Sequence, residues 1–93
     1  MSLPTFKFDE DTYLDELHQY IQETYTQHYA KGKHQASEVI FDSGYAEGFL
    51  MGNILKYWKR YGKKGGRNRQ DITKMIHYAL LMLYAHDHII KGD

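Results

Sequence analysis

The stretch YAEGFLMGNILKYWKRYG, residues 45–62, decides the fold. It lacks proline, repeats apolar residues at helical spacing and ends on glycine, which predicts a helix from about Tyr45 to Tyr61 with Gly62 as its left-handed terminating residue. At about 100° per residue, Leu50, Met51, Ile54, Leu55, Trp58 and Tyr61 share one arc, read as the face turned to the core. The opposite arc carries Gly48, Gly52, Lys56, Lys59 and Lys63, bordered by Asn53 and Arg60. Glycine costs about 1 kcal/mol relative to alanine inside a helix, so two glycines four residues apart need a compensating reason. Either a second helix packs against the bared backbone, or a ligand does. The surrounding ammonium and guanidinium groups suit a phosphate better than an apolar helix.

Asn53, Tyr57, Arg60 and Lys64 form a further stripe along the same helix and its exit. Two readings stay open for it. It is ordinary decoration at the core boundary, or it holds a base by hydrogen bonding and stacking while the cations take phosphates. The glycine-rich turn Gly62 to Gly66 resembles a phosphate cradle, yet the Walker pattern is absent, and a glycine stop followed by a solvated basic turn accounts for the same residues.

Outward from this helix, the chain reads as all-α: three main helices and one short helical segment, in a single domain spanning residues 1–93. Residues 1–10 form a tail and residues 62–70 a basic, glycine-rich loop. The first helix is expected from about Asp11 to Tyr29, with Thr12 and Asp15 in capping-box positions and Leu14, Leu17, Tyr20, Ile21, Thr24, Tyr25 and His28 on one face. A short segment follows at about Gln35 to Asp42, stopped by Ser43-Gly44. The last helix is expected from Asp71, a good N-cap, to about Ile90, with Ile72, Met75, Ile76, Ala79, Leu80, Leu83 and Ile90 on its stripe. The two long C-terminal helices are expected to pack through Leu50, Ile54 and Trp58 against Ile72, Ile76 and Leu83.

Composition narrows the function. Ninety-three residues leave no room for a two-domain nucleotide enzyme or a (β/α)₈ barrel, and 42% hydrophobic content excludes a disordered chain. The formal charge is zero, but residues 1–30 carry a net of −5 and residues 31–70 a net of +6, with seven basic residues and no acid between Lys56 and Arg69. Such a stripe attracts phosphate locally, or it complements the acidic first helix. A core this thin, without cysteine and with 14 aromatic residues, points to an oligomer. No apolar run is long enough to span a bilayer, and the chain reads as soluble and cytoplasmic.

Other chemistry finds little support. His86 and His88 diverge on a helix and cannot chelate one ion together, while His28 and His86 fall inside apolar arcs as core histidines, so no structural metal is expected. No serine has a flanking base and orienting acid, and the Glu-x-x-Glu pattern of helical pyrophosphohydrolases is missing. Glu38, Glu47 and Asp71 are lone carboxylates near the basic region, suited either to capping and ion pairing or to Mg²⁺ carried in by a nucleotide.

In order, His28-Tyr29, Gly32, Gln35, Glu38-Val39-Ile40, Gly52-Asn53, Lys56-Tyr57, Arg60, Gly62-Lys63-Lys64, Asp71, Lys74 and Tyr78 resemble the pattern of a family of short bacteriophage proteins. That family is labelled a domain of unknown function and includes a small nucleotide kinase, lacking a P-loop, that phosphorylates deoxynucleoside monophosphates. The resemblance implies a nucleotide site, with Lys56, Arg60 and Lys63 as catalytic phosphate clamps and Gly52, Asn53, Tyr57 and Lys64 binding the nucleotide. Asp71 and Glu38 would reach Mg²⁺, the site would lie between subunits, and the setting would be the cytoplasm of an infected bacterial host. Phosphoryl transfer suits so small a chain because positioning and charge neutralisation supply most of the rate. The rivals are a module that sequesters a nucleotide without turnover and a nucleic-acid binder, the latter opposed by net neutrality and by Trp58 on the expected core face.

Overall fold

The computed structural model describes residues 6–30, 40–63 and 65–90, with the side chains of 28–30 left aside. Glu38 and Lys64 lie outside the described residues, as does most of the short segment expected at 35–42, of which residues 40–42 are helical. Three long helices carry the described fold: α1 (Glu10–Ala30), α2 (Ala46–Arg60) and α3 (Arg69–Ala85), the last continuing into a π-helical turn at His86–Ile90. No strand occurs among the described residues, so the all-α expectation holds.

Local chemistry sets the helix ends. Before α1, Asp9 takes a left-handed backbone (φ 57°), which aspartate tolerates better than most residues, and its carbonyl accepts from Tyr13 N at 3.0 Å. Because α1 starts at Glu10, Thr12 and Asp15 lie within the helix and do not cap it. Gly62 has φ +84° just beyond the end of α2, as the sequence predicts, and its N–H donates to the Gly66 carbonyl at 3.0 Å, closing a tight loop. The N-cap of α3 is Asn68 and not Asp71: the Asn68 carboxamide oxygen accepts from Gln70 N at 3.0 Å. Asp71 instead sits in the first turn, where the positive end of the helix dipole favours a carboxylate.

α2 and α3 form an antiparallel hairpin. Ala46 and Leu50 at one end of α2 pack with Ala85, joined by Phe41, Tyr78, Leu81, Met82 and Ile90, while Tyr57 near the other end meets Tyr78 and Lys74. The hairpin face agrees with the expected one at Leu50, which is fully buried, and at the half-buried Ile54, and differs from it elsewhere. On α2 the buried residues are Ala46, Leu50 and Tyr57; Trp58 is 64% exposed, and Met51, Leu55 and Tyr61 are also exposed. On α3, Asp71 and Ala85 are buried, whereas Ile72, Ile76, Leu80 and Leu83 face solvent. His86, expected in the core, is exposed too. The reason is that tyrosine rings and long cationic stems bury apolar surface as well as aliphatic residues do while keeping their polar tips wet, so counting aliphatic residues selects an arc displaced to one side of the buried one, sharing Leu50 with it.

α1 docks on this hairpin through few contacts. Leu17 is its buried anchor, Tyr20 meets His77 edge-on with centroids 5.8 Å apart, and Glu16 takes both terminal nitrogens of Arg69, at 2.6 and 3.2 Å. The acidic first helix thus meets the basic stripe within one chain.

Leu50 is fully buried, so Leu50→Ala should lower the unfolding free energy in urea by about 2–5 kcal/mol, while the same change at the exposed Leu14 should stay within roughly 0.5 kcal/mol.

Candidate functional site

The site grows from one tyrosine. Tyr57 is buried in the hairpin, and its ring stacks on Tyr78 of α3, centroids 6.0 Å apart and planes 17° from parallel. Around the Tyr57 ring stand three cations: Lys56 Nζ at 5.2 Å from its centroid, Arg60 Cζ at 5.4 Å and Lys74 Nζ at 5.2 Å. Lys56 and Arg60 follow from their spacing beside Tyr57 on α2; Lys74 reaches in from α3. Each gains from the negative ring face, which offsets part of the repulsion among three like charges. Among the described residues the one ion pair is Arg69 with Glu16, so no carboxylate neutralises this collar.

Tyr78 extends the aromatic floor. Phe49 approaches it edge-on at 6.3 Å and His77 lies 6.4 Å away. Burial, first, and then the neighbouring Tyr57 and Tyr20 hydroxyls raise the pKa of Tyr78 above the ordinary tyrosine range. Asn53 is half-buried one turn before Tyr57, and its side-chain N–H donates to the Phe49 carbonyl at 2.9 Å. Gly52 and Gly48 are exposed, and a Cβ built on either meets no atom within 4 Å. Packing among the described residues therefore does not explain the two glycines. They leave open backbone surface beside Lys56.

Asp71 is 4% exposed, and its Oδ2 has no hydrogen-bond partner. A buried carboxylate oxygen without a partner carries a desolvation penalty of roughly 1–3 kcal/mol or more, against which the first-turn position in α3 is a partial offset. Among the described residues no three His, Cys, Asp or Glu side chains converge on a point that would hold a metal ion. One carboxylate is nevertheless enough for a Mg²⁺ ion that arrives already bound to phosphate oxygens, since such ions often take only one or two protein ligands. Lys63 is exposed in the turn after α2, where its N–H donates to the Arg60 carbonyl at 2.9 Å, and its side chain makes no described contact with the collar.

Of the residues singled out in the sequence, Lys56, Tyr57 and Arg60 are brought together, Asn53 and Gly52 border them, and Lys63 stands apart. Lys74 and Tyr78 complete the cluster. Their signal was present, since both fall in the pattern that carried the family resemblance, but helical stepping along α2 alone could not reach residues on α3.

A family model matches residues 23–80, more than half of the chain and the whole of this cluster. The chain belongs to DUF3310. That family is described as proteins of unknown function, and its matched span runs from the middle of α1 to Leu80 of α3, so it takes in the collar, the glycines and the Gly62 turn. Searches of curated proteins and of solved structures found no match for this DUF3310 chain. None of its described helices is long and apolar enough to cross a membrane.

Two outcomes check this geometry. The raised Tyr78 pKa means that its contribution to stability is intact below the ordinary tyrosine range and is lost as pH climbs through the raised value. Urea midpoints of Tyr78→Phe should therefore match the native chain at neutral pH and fall less steeply at alkaline pH; equal alkaline slopes would count against the buried ring. Gly52→Ala, which meets no neighbour, should raise ligand-free stability by about 0.5–1 kcal/mol through helix propensity, measured by the same denaturation.

Proposed function

We propose that this chain binds a phosphate-bearing small ligand, a nucleotide, on the Lys56–Arg60–Lys74 collar. The observation that carries the reading is three cations within 5.4 Å of one buried tyrosine ring with no acidic partner among the described residues. Uncompensated charge so concentrated is costly unless an anion shares it, and an anion with several oxygens uses the guanidinium fork and two ammonium groups at once. Gly52 supports the reading by leaving room beside Lys56, and the Asn53 carboxamide oxygen is available to accept from a base or sugar. Tyr57 has little ring surface left for a nucleobase, so its role in this reading is to array the cations.

The resemblance to phage nucleotide kinases supplies the finer proposal: transfer of a phosphoryl group from a nucleoside triphosphate to a nucleoside monophosphate. Lys56, Arg60 and Lys74 would hold donor and acceptor phosphates in line and neutralise charge, with Lys63 and Lys64 adding further positive charge. Mg²⁺ delivered with the nucleotide would supply further neutralisation, and Asp71, with Glu38, is the carboxylate proposed to meet it. Nucleic acid is the second reading. Trp58 is exposed, which removes one argument against it, but Trp58 lies about a quarter turn or more around α2 from the collar, so base stacking and phosphate contacts would not share a face.

Thermal-shift titration with nucleoside mono-, di- and triphosphates, with and without Mg²⁺ and beside a single-stranded oligonucleotide, tests this. A ligand at about 100 Kd should add roughly 2.7 kcal/mol of stability. Arg60→Ala should cost about 1.5–3 kcal/mol in binding, because a charge-assisted contact is lost, with the fold intact. If Arg60→Ala and Lys74→Ala both bind nucleotide as the native chain does, the site is wrong. If binding is lost as expected but the native chain never converts monophosphate to diphosphate with ATP and Mg²⁺, the sequestering module stands in place of the kinase.

A further inference from the structure

We infer that the outward face of the α2–α3 hairpin is a homodimer interface, on which a second copy of this chain docks. Met51, Leu55 and Trp58 on α2 are 42%, 52% and 64% exposed, and Ile72, Ile76 and Leu83 on α3 are 40%, 43% and 62% exposed. At about 100° per residue, each trio lies a quarter turn or more past its helix's buried face, in the same rotational sense along its own chain direction. Because the helices run antiparallel, that sense turns both trios toward the same side of the hairpin, Met51, Trp58 and Ile72 most directly and Leu55 and Ile76 nearer its outer edges. Lys56, Arg60 and Lys74 lie the other way around, on the side where Tyr20 of α1 meets His77.

The six side chains expose on the order of 600 Å² of largely apolar surface, at the top of what a monomer ordinarily shows and approaching the roughly 800 Å² per partner of a standard interface. The α3 stripe continues through Ala79 and Leu80, so from Ile72 to Leu83 no charged residue interrupts it. The occupant follows from the thinness of what lies beneath. Among the described residues six are buried, and Leu50 is the one large side chain fully out of solvent. A fold that holds so little inside needs the missing burial wherever it is made, and the partner always made with it is another copy. Two antiparallel hairpins meeting on a two-fold axis give a four-helix layer, an isologous contact that closes on itself. The two cationic collars then face away from one another, and each is complete within its own chain.

The test uses the full chain. Sedimentation at tens of micromolar should give twice the 11.0 kDa of one chain, and Trp58, the sole tryptophan, should show blue-shifted emission and protection from acrylamide, both lost on dilution. The double variant Trp58→Lys, Leu83→Lys should sediment as a monomer and still bind nucleotide phosphate wherever the native chain does. A native chain of single mass, or an assembly whose mass the double variant leaves unchanged, overturns the proposal. So does a Trp58 freely quenched at high concentration, which decides the matter even if the variant fails to fold. Arg60→Ala, on the opposite side, should leave the mass unchanged, so failure of the ligand site and failure of the interface read out separately.

Discussion

The stack of Tyr57 on Tyr78 is the contact around which the rest is arranged. It joins α2 to α3 near their shared end, at a place where aliphatic residues would have closed the gap equally well. What the tyrosine pair adds is a polarised ring face, and that face is what lets Lys56, Arg60 and Lys74 gather where none of the described residues offers them a carboxylate partner. Fold and site are therefore one feature. Removing the ring would open the hairpin and release its charges to solvent in the same step.

The same choice explains the unusual division of the hairpin's surface. Leu50, Leu81 and Met82 fill one end of the hairpin, but at the Tyr57 end aromatic rings and cations take the place of aliphatic residues, and several aliphatic residues of both helices lie outward. Leu55, Trp58, Ile72 and Leu83 are a core in composition but not in position. One side of the hairpin is consequently polar and charged and shared with α1, and the other is apolar.

That displacement also marks the limit of what could be read from the chain. The helices were legible, since their spacing, the Ser43-Gly44 break and the Gly62 stop are local properties, and their ends fell within two or three residues of expectation, the last helix passing into a π-turn at His86. Asp71 was misassigned as a cap because Asn68, three residues earlier, competes for the same role, and only backbone geometry separates them. The core face is legible at Leu50 but reads too far around the helix, because hydropathy scores a tyrosine or a lysine stem below a leucine, although both bury large apolar areas. Lys56, Arg60 and the open glycines could be found on one helix; Lys74 required knowing which helix lies opposite.

The loop from Tyr61 to Asn68 shapes the order in which the molecule comes together. With only eight residues between α2 and α3, closing the hairpin loses little chain entropy, and its contacts are local in sequence, so pairing of these two helices is expected within microseconds to milliseconds. α1 is different: Glu16 and Tyr20 find Arg69 and His77 more than fifty residues further on. During synthesis α1 therefore leaves the ribosome before the hairpin and, strongly acidic and marginal as a helix alone, must wait until the segment that anchors it has been made.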